Sequence, residues 1–559
     1  MSLVDVVVGV ALLLVLFLAL FGVLKASLLV SSFAKAKADA TAIAQTEMEY
    51  LRGLSYDAVG TVGGIPPGAA VQDATTTENG ITYTTHVFVS YVDDPADGTG
   101  SQDTNGITTD YKRGRVSVSY TIGGQTRDVA LVSNFAPPGI ETTNGGGTLA
   151  IHTVDATGAA LPNAMVRIVN ASTSPTVDVT TFSNIDGQVY LPGAATSSDY
   201  QVYTSKSGYS SAQTYARDAT NENPNPGYLT VAKDQTTTGT FAIDRLATLS
   251  LSTFSPIATS TFSDTFTGTT GLAAMSSTTV SGGALTLSSG ETSGSARSVA
   301  TTSAYLTRWG QVMATTTVPS GASVAIHIYD QNGTLIPDTV LPGNAVGFTS
   351  FPVSLGAIAT TTYPFLALGA DLSTTGSAPQ ITDWSLSYAE GPIPLPNVAF
   401  TLTGAKTIGT TGGGSPIYKT TVTGTTGSSG VTQNLSLEWD NYALSVPNYD
   451  IVDACTSPPY ALEPGSTNSK SLILGSPTSN SLRVLVTDNN GVVQSGARVT
   501  ISHGSFSKTV TSSSCGSAYV GGLTAADTYS VSIAKTGYTT STFSNVSVSG
   551  ASLYSASFP

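Results

Sequence analysis

The sequence predicts an α+β multidomain protein: a long N-terminal helix plus a small antiparallel sheet, followed by mainly β-sandwich domains. Three observations lead there. Residues 6–24 (VVVGVALLLVLFLALFGVL) are apolar without a single charge, long enough as a helix to cross a hydrocarbon core of about 30 Å. From Ile81 onward the periodicity changes to two, with Val, Thr and Tyr runs broken by Gly, Asn and Asp, the pattern of short antiparallel strands. Finally, a pattern of about 90 residues recurs along the chain, as sequential folding units do.

Length and composition bound the rest. A chain of 559 residues is too long for one hydrophobic core. Only 10% of it is charged and the net charge is −14, which disfavours a nucleic-acid groove. The four histidines, His86, His152, His327 and His503, fall in separate strand-like segments without metal-ligand spacing. No nucleophile elbow, phosphate loop or paired-cysteine motif occurs. Asp383 and Glu390, near the end of the block 247–391, can be imagined as paired glycosidase carboxylates, but nothing in the sequence brings them to one cleft. The chain does not read as an enzyme.

The helix is expected from Ser2 to Leu54, about 80 Å at 1.5 Å per residue. Its first half is apolar all round, as befits a segment meeting lipid or other helices. Its second half is amphipathic, with Val30, Phe33, Ala40, Ala44, Leu51 and Leu54 at helical spacing and Lys35, Asp39, Glu47 and Arg52 elsewhere. Gly53 and the following Gly60, Gly63, Gly64, Pro66 and Pro67 end it. Asp5 stands at the lip of the apolar run, where an acid is costly and by default marks a function. With no Lys or Arg before the run, the segment is a poor secretory signal. A plain single-pass anchor is the alternative, but it needs neither Asp5 nor an amphipathic extension.

These features resemble the type IV pilins and their pseudopilin relatives. Met1-Ser2-Leu3-Val4-Asp5 matches the start of a mature pilin place for place: a hydrophobic residue, a small polar one, two aliphatics and an acid. The resemblance continues through the Ala-rich 34–46 and Glu47-Met48-Glu49-Tyr50-Leu51-Arg52, which looks like the end of a stem helix. It implies that this sequence is already mature, that the terminal amine at Met1 is methylated, and that Asp5 pairs with the terminal ammonium of a neighbouring subunit during assembly. The family acid is usually Glu, one methylene longer. The family's mid-helix proline is replaced by Gly9 and Gly22, the expected points of helix melting in a filament.

After the helix, 55–136 reads as the β head. Ile81–Tyr91 and Arg115–Ile122 are strand-like, and Gly123-Gly124 signals a hairpin into Thr126–Val132. Between them Asp93, Asp94, Asp97, Asp103 and Asp110 cluster in a Gly-rich loop. They form a weak candidate Ca²⁺ site, against the plainer reading of a solvated turn.

Beyond a linker, Leu149–Asp155, Gly158 and Asn163–Ile168 align with Leu482–Asp488, Gly491 and Gly496–Ile501. Gly187, Tyr200–Tyr203 and Lys206–Tyr209 align with Gly516, Tyr529–Ser532 and Lys535–Tyr538. A weaker third copy contains Pro396–Leu402, Gly430 and Tyr442–Val446. The pattern resembles the carboxypeptidase regulatory-like domains, seven-stranded sandwiches that are non-catalytic in their relatives. The expected divisions are 147–246, a divergent copy at 392–476 and a last copy at 477–559. The intervening 247–391 reads as a jelly-roll or lectin-like sandwich on strand spacing, where a glycan site is conceivable but not implied by the fold. Trp309, Trp384 and Trp439 are expected in cores.

Cys455 and Cys515 make an even count in a chain that leaves the cytoplasm, so a disulfide is expected in preference to two free thiols. By repeat alignment it crosses the boundary between the last two sandwiches, with Cys515 on an exposed hairpin.

The expectation is therefore a structural pilin that polymerises through its helix into an extracellular type IV filament and displays β modules for surface adhesion. It is held in the inner membrane before assembly and presents possible host-cell or glycan contacts. The rivals are a minor tip adhesin pilin and a pseudopilin of a type II-like secretion system.

Overall fold

The structure, a computed structural model, describes residues 3–96, 109–137, 146–432 and 434–559. Met1, Asp97 and Asp103 lie outside the described residues, as do the side chains of residues 3–12, 15 and 19, Asp5 among them.

One helix, α1 (Leu3–Gly53), spans 51 residues, about 77 Å at the standard rise. In the single chain it runs without interruption through Gly9 and Gly22. Its second half packs on the head through Ala36, Ala40, Ala44, Met48 and Leu51, all nearly or fully buried. These lie three or four residues apart and so line one helical face, and the three alanines let the helix axis approach the sheet closely. Val30, expected on this face, is instead 67% exposed. The packed face begins one turn later, with the half-buried Phe33, over which the Arg127 guanidinium sits 4.3 Å from the ring centroid.

The head is a four-stranded antiparallel sheet, β1 (Asp73–Glu78), β2 (Ile81–Val92), β3 (Tyr111–Ile122) and β4 (Gln125–Phe135), in that order. Two-residue turns make both outer hairpins. Gly123 and Gly124 join β3 to β4, and Asn79 and Gly80, at φ 52° and 78°, join β1 to β2, the left-handed pair that matches strand twist. Strand alternation puts Tyr83, Val87, Val89, Val116, Val118 and Tyr120 under the helix.

The remaining described chain is strand and loop, in antiparallel and mixed sheets. Three segments share one pairing scheme. In the first, β5 (Gly147–Val154) pairs antiparallel with Gln188–Ala194 and parallel with Thr236–Ala242. In the last, Ser481–Thr487 pairs antiparallel with Ser517–Gly521 and parallel with Ala551–Ser557. In the third, Ala247–Phe254 pairs antiparallel with Leu435–Leu437 and parallel with Thr467–Gly475. Ala247–Phe254 therefore moves from the lectin-like block, where its sequence position put it, to the sandwich of 395–475, whose core contains Ala247, Leu249 and Leu251. Ala258–Glu390 is an insertion between the first and second strands of that sandwich. Its own two antiparallel sheets enclose Trp309, Trp384 and Phe266.

Each copy of the shared scheme turns on a glycine at the same place. Gly187 has φ 73°, and a Cβ there would lie 2.4 Å from the Thr153 carbonyl oxygen. A Cβ on Gly430 or Gly516 would lie 2.8 Å from the carbonyl oxygen of Thr253 or Val486, respectively. Each copy also buries one tyrosine whose hydroxyl donates to a backbone carbonyl four or five residues upstream: Tyr200 to Ala195, Tyr442 to Glu438 and Tyr529 to Thr524. Trp439 departs from expectation. It is only half-buried, with the Lys406 ammonium 3.1 Å from its ring centroid.

Candidate functional site

Two regions stand out: the exposed half of α1 and the joined series of β modules that follows it.

Leu13, Leu14, Leu16, Phe17, Leu18, Leu20, Phe21, Val23 and Leu24 are each at least 53% exposed. From Leu16 onward the helix contains an 18-residue window of mean hydropathy 2.0, none of it buried. At about 25 cal/mol per Å², such a surface is not stable in water. It demands lipid or other helices. The helix is long and apolar enough to cross a membrane.

The modules are joined by specific contacts. Ile65, from the loop after the helix, is buried in the first sandwich's core, and its carbonyl accepts a hydrogen bond from Thr181 at 3.3 Å. The first sandwich meets the third through a short ladder, Asn223–Pro224 against Thr410–Gly409, reinforced by Asn221 Nδ2 donating to the Ile408 carbonyl at 3.0 Å.

An ionic node supports that junction. Glu438, 8% exposed, pairs with Lys406 and Lys419 at 2.7 Å each, and Lys419 also donates to the Ser211 carbonyl of the first sandwich. Burial lowers the Lys406 pKa, and Glu438 opposes that shift. Sequence reasoning missed this node. A signal was available: in a chain with only 10% charged residues, Lys406, Lys419, Glu438 and Asp440 stand close together in a Thr/Gly-rich stretch.

Between the last two sandwiches the buried Asp450 accepts from Thr478 Oγ1 at 2.7 Å and from the Tyr519 hydroxyl. Arg483 donates to Ser457 at 3.0 Å. Burial holds the Arg483 pKa below its usual value, countered by Asp453, and raises the Tyr460 hydroxyl to about 12. Cys455 and Cys515 are disulfide-bonded across this boundary, Cα atoms 4.6 Å apart. Cys455 is exposed. Cys515, expected on an exposed hairpin, is only 8% exposed, because the neighbouring sandwich covers its turn.

The loop aspartates do not form a described cation cage. Asp94 N–H donates to Asp110, and the Tyr190 hydroxyl donates to Asp93 at 3.5 Å. Among the described residues no group of three or more potential metal ligands occurs. Asp383 and Glu390 lie seven residues apart on the strand Gln380–Glu390, about 23 Å apart along it and on opposite faces. Glu390 is bound by Ser260 and Ser303, which lower its pKa.

Residues 481–558 match the carboxypeptidase regulatory-like domain. No curated protein matches the chain by sequence. Among solved structures, the chain is similar to the TIE protein of Bacillus anthracis at 10% identity, over 87% of this chain and 73% of that one, with a TM-score of 0.16. It is similar to BcpA, the major pilin subunit of Bacillus cereus, at 8% identity, over 74% and 99% of the two chains, with a TM-score of 0.14. The RrgB pilus protein of Streptococcus pneumoniae gives 8% identity over 74% and 98%, with a TM-score of 0.12.

Proposed function

We propose that the chain is a non-enzymatic structural subunit of an extracellular filament of the type IV class, polymerising through α1 and displaying its β-sandwiches outward. The observation that carries this is the division of one continuous helix into two environments. Residues 33–51 are packed on the head sheet, while the described large side chains between Leu13 and Val30 are exposed. A simple anchor or signal segment needs only the bare half. A helix fixed rigidly to a folded head and projecting apolar surface beyond it suits an assembly in which helices pack together in a common core. Before assembly the same half resides in the inner membrane.

In this reading Asp5 pairs with the N-terminal ammonium of an adjacent subunit. The low dielectric of the helix core strengthens the pair, and loss of one partner of a buried pair costs about 3–5 kcal/mol. Asp5→Ala is therefore expected to leave membrane-inserted subunits and to abolish filaments, as seen by shearing cells and imaging the released material. Filaments at the normal yield would refute the pairing. The junctions between sandwiches favour a stiff outward arm, fitted to surface adhesion under load. A tip location would leave the same arm but place the chain once per filament, and a pseudopilin would show it confined to the envelope.

A further inference from the structure

The head sheet has a second face, away from α1. The register Phe88↔Arg115↔Val132 sets these three side by side, with Ser90 and Arg113 one step along. The first sandwich closes over this face with Pro162–Asn163 and the turn 183–185, leaving a cavity of about 290 Å³.

Its chemistry is uneven in a telling way. Phe88, Val132, Pro162 and Ile185 make apolar walls. Into these walls come two guanidiniums, in a chain whose net charge is −14. Neither arginine forms an ion pair among the described residues. Arg113 is instead held by neutral partners, Nε donating to Asn134 Oδ1 at 3.0 Å and Nη2 to the Tyr111 hydroxyl at 2.9 Å. That fixes its fork through neutral groups alone, among the described residues.

Asn184 shapes the far wall of the cavity. It is 4% exposed, and its Oδ1 accepts from the backbone N–H groups of Asp186 and Gln188, at 3.0 and 2.8 Å, which closes the turn. In the last repeat Ser513 closes the equivalent turn through its hydroxyl, accepting from the N–H groups of Cys515 and Ser517.

We propose that this cavity binds the carboxylate-bearing ring of an acidic sugar, a uronate unit of a polysaccharide. A planar guanidinium pairs with a carboxylate in two parallel hydrogen bonds. The Ser90 hydroxyl serves a ring hydroxyl, and Phe88 and Val132 receive the C–H face. The volume is at the lower end of ligand pockets, suited to one ring rather than a long oligosaccharide. The proposal does not rest on filament assembly, since the site lies within one chain.

The test is calorimetric titration of the full chain, unassembled in detergent micelles, with glucuronate, glucose and inorganic sulfate. Glucuronate is expected to bind saturably, and glucose and sulfate at least tenfold more weakly. Arg115→Gln and Arg113→Gln are each expected to weaken glucuronate at least tenfold. Absence of saturable glucuronate binding, sulfate binding as tight as glucuronate, or unaltered binding by Arg115→Gln would each overturn the assignment.

Discussion

Removing the link between Cys455 and Cys515 should loosen the distal end far more than the loss of two sulfur contacts would suggest. The bond joins residues 60 apart in sequence. In the chain-entropy treatment, closing a loop of that length restricts the unfolded chain by about 4 kcal/mol. The native junction does not depend on the bond alone, because Asp450 still accepts from Thr478 and Tyr519, and Arg483 still reaches Ser457. The expected result is an intact fold with a lower barrier to global opening. Hydrogen exchange of the slowest amides in the strands Ser481–Thr487 and Ala526–Ala534 reads this directly. About 4 kcal/mol corresponds to roughly a thousandfold faster exchange. Reduced wild-type chain and the Cys455→Ser/Cys515→Ser double variant should agree, and the reduced arm is free of any effect of placing serine at the buried Cys515. Less than a tenfold change in both arms would refute the loop argument.

Other consequences follow from the buried charges. Burial lowers the His152 pKa from 6.5, so its stabilising contribution is complete above that value and is lost as pH falls through the lower folded-state pKa. Melting of the full chain in detergent should show the first sandwich weakening on acidification below pH 6.5, and His152→Leu, which copies Leu485 of the last repeat, should flatten that dependence. An unchanged acid sensitivity in His152→Leu would contradict it. Glu438→Gln leaves two lysines facing each other at the junction of the first and third sandwiches. The expected cost is roughly 2–3 kcal/mol, below the range for a fully dry pair because Lys406 is 30% exposed, and limited proteolysis should cut earlier within residues 211–228. Wild-type resistance there would show that the node carries no load.

Much of the architecture was legible because it rests on short-range rules. The charge-free run of residues 6–24 predicts the helix, and its end at Gly53 follows from the glycines and prolines beyond. Gly123-Gly124 gave one hairpin of the head. Asn79-Gly80, an equally strong signal, was overlooked together with the strand before it. The repeats were readable from the Gly187 and Gly516 turns and the Tyr200 and Tyr529 strands, whose roles are local. What sequence order hid was the first strand of the third sandwich. Ala247–Phe254 alternates buried and half-buried residues like any strand, but its partners lie beyond an inserted block of its own fold. Nothing local distinguishes a strand that pairs with a distant partner from one that pairs with its neighbour. The same holds for the ligand cavity. Arg113, Arg115 and Asn184 are unremarkable until the head sheet and the first sandwich are brought face to face.

The central claim is that α1 forms a shared core while the sandwiches stand outside it. A helical reconstruction of filaments sheared from cells that make this chain tests it most directly. The account predicts density for residues 3–53 of every subunit bundled along the axis, with the head sheet fixed to residues 33–51 as it is here and the sandwiches arrayed on the exterior. Filaments whose core lacks this helix, or a chain found only as a membrane-embedded monomer, would contradict it.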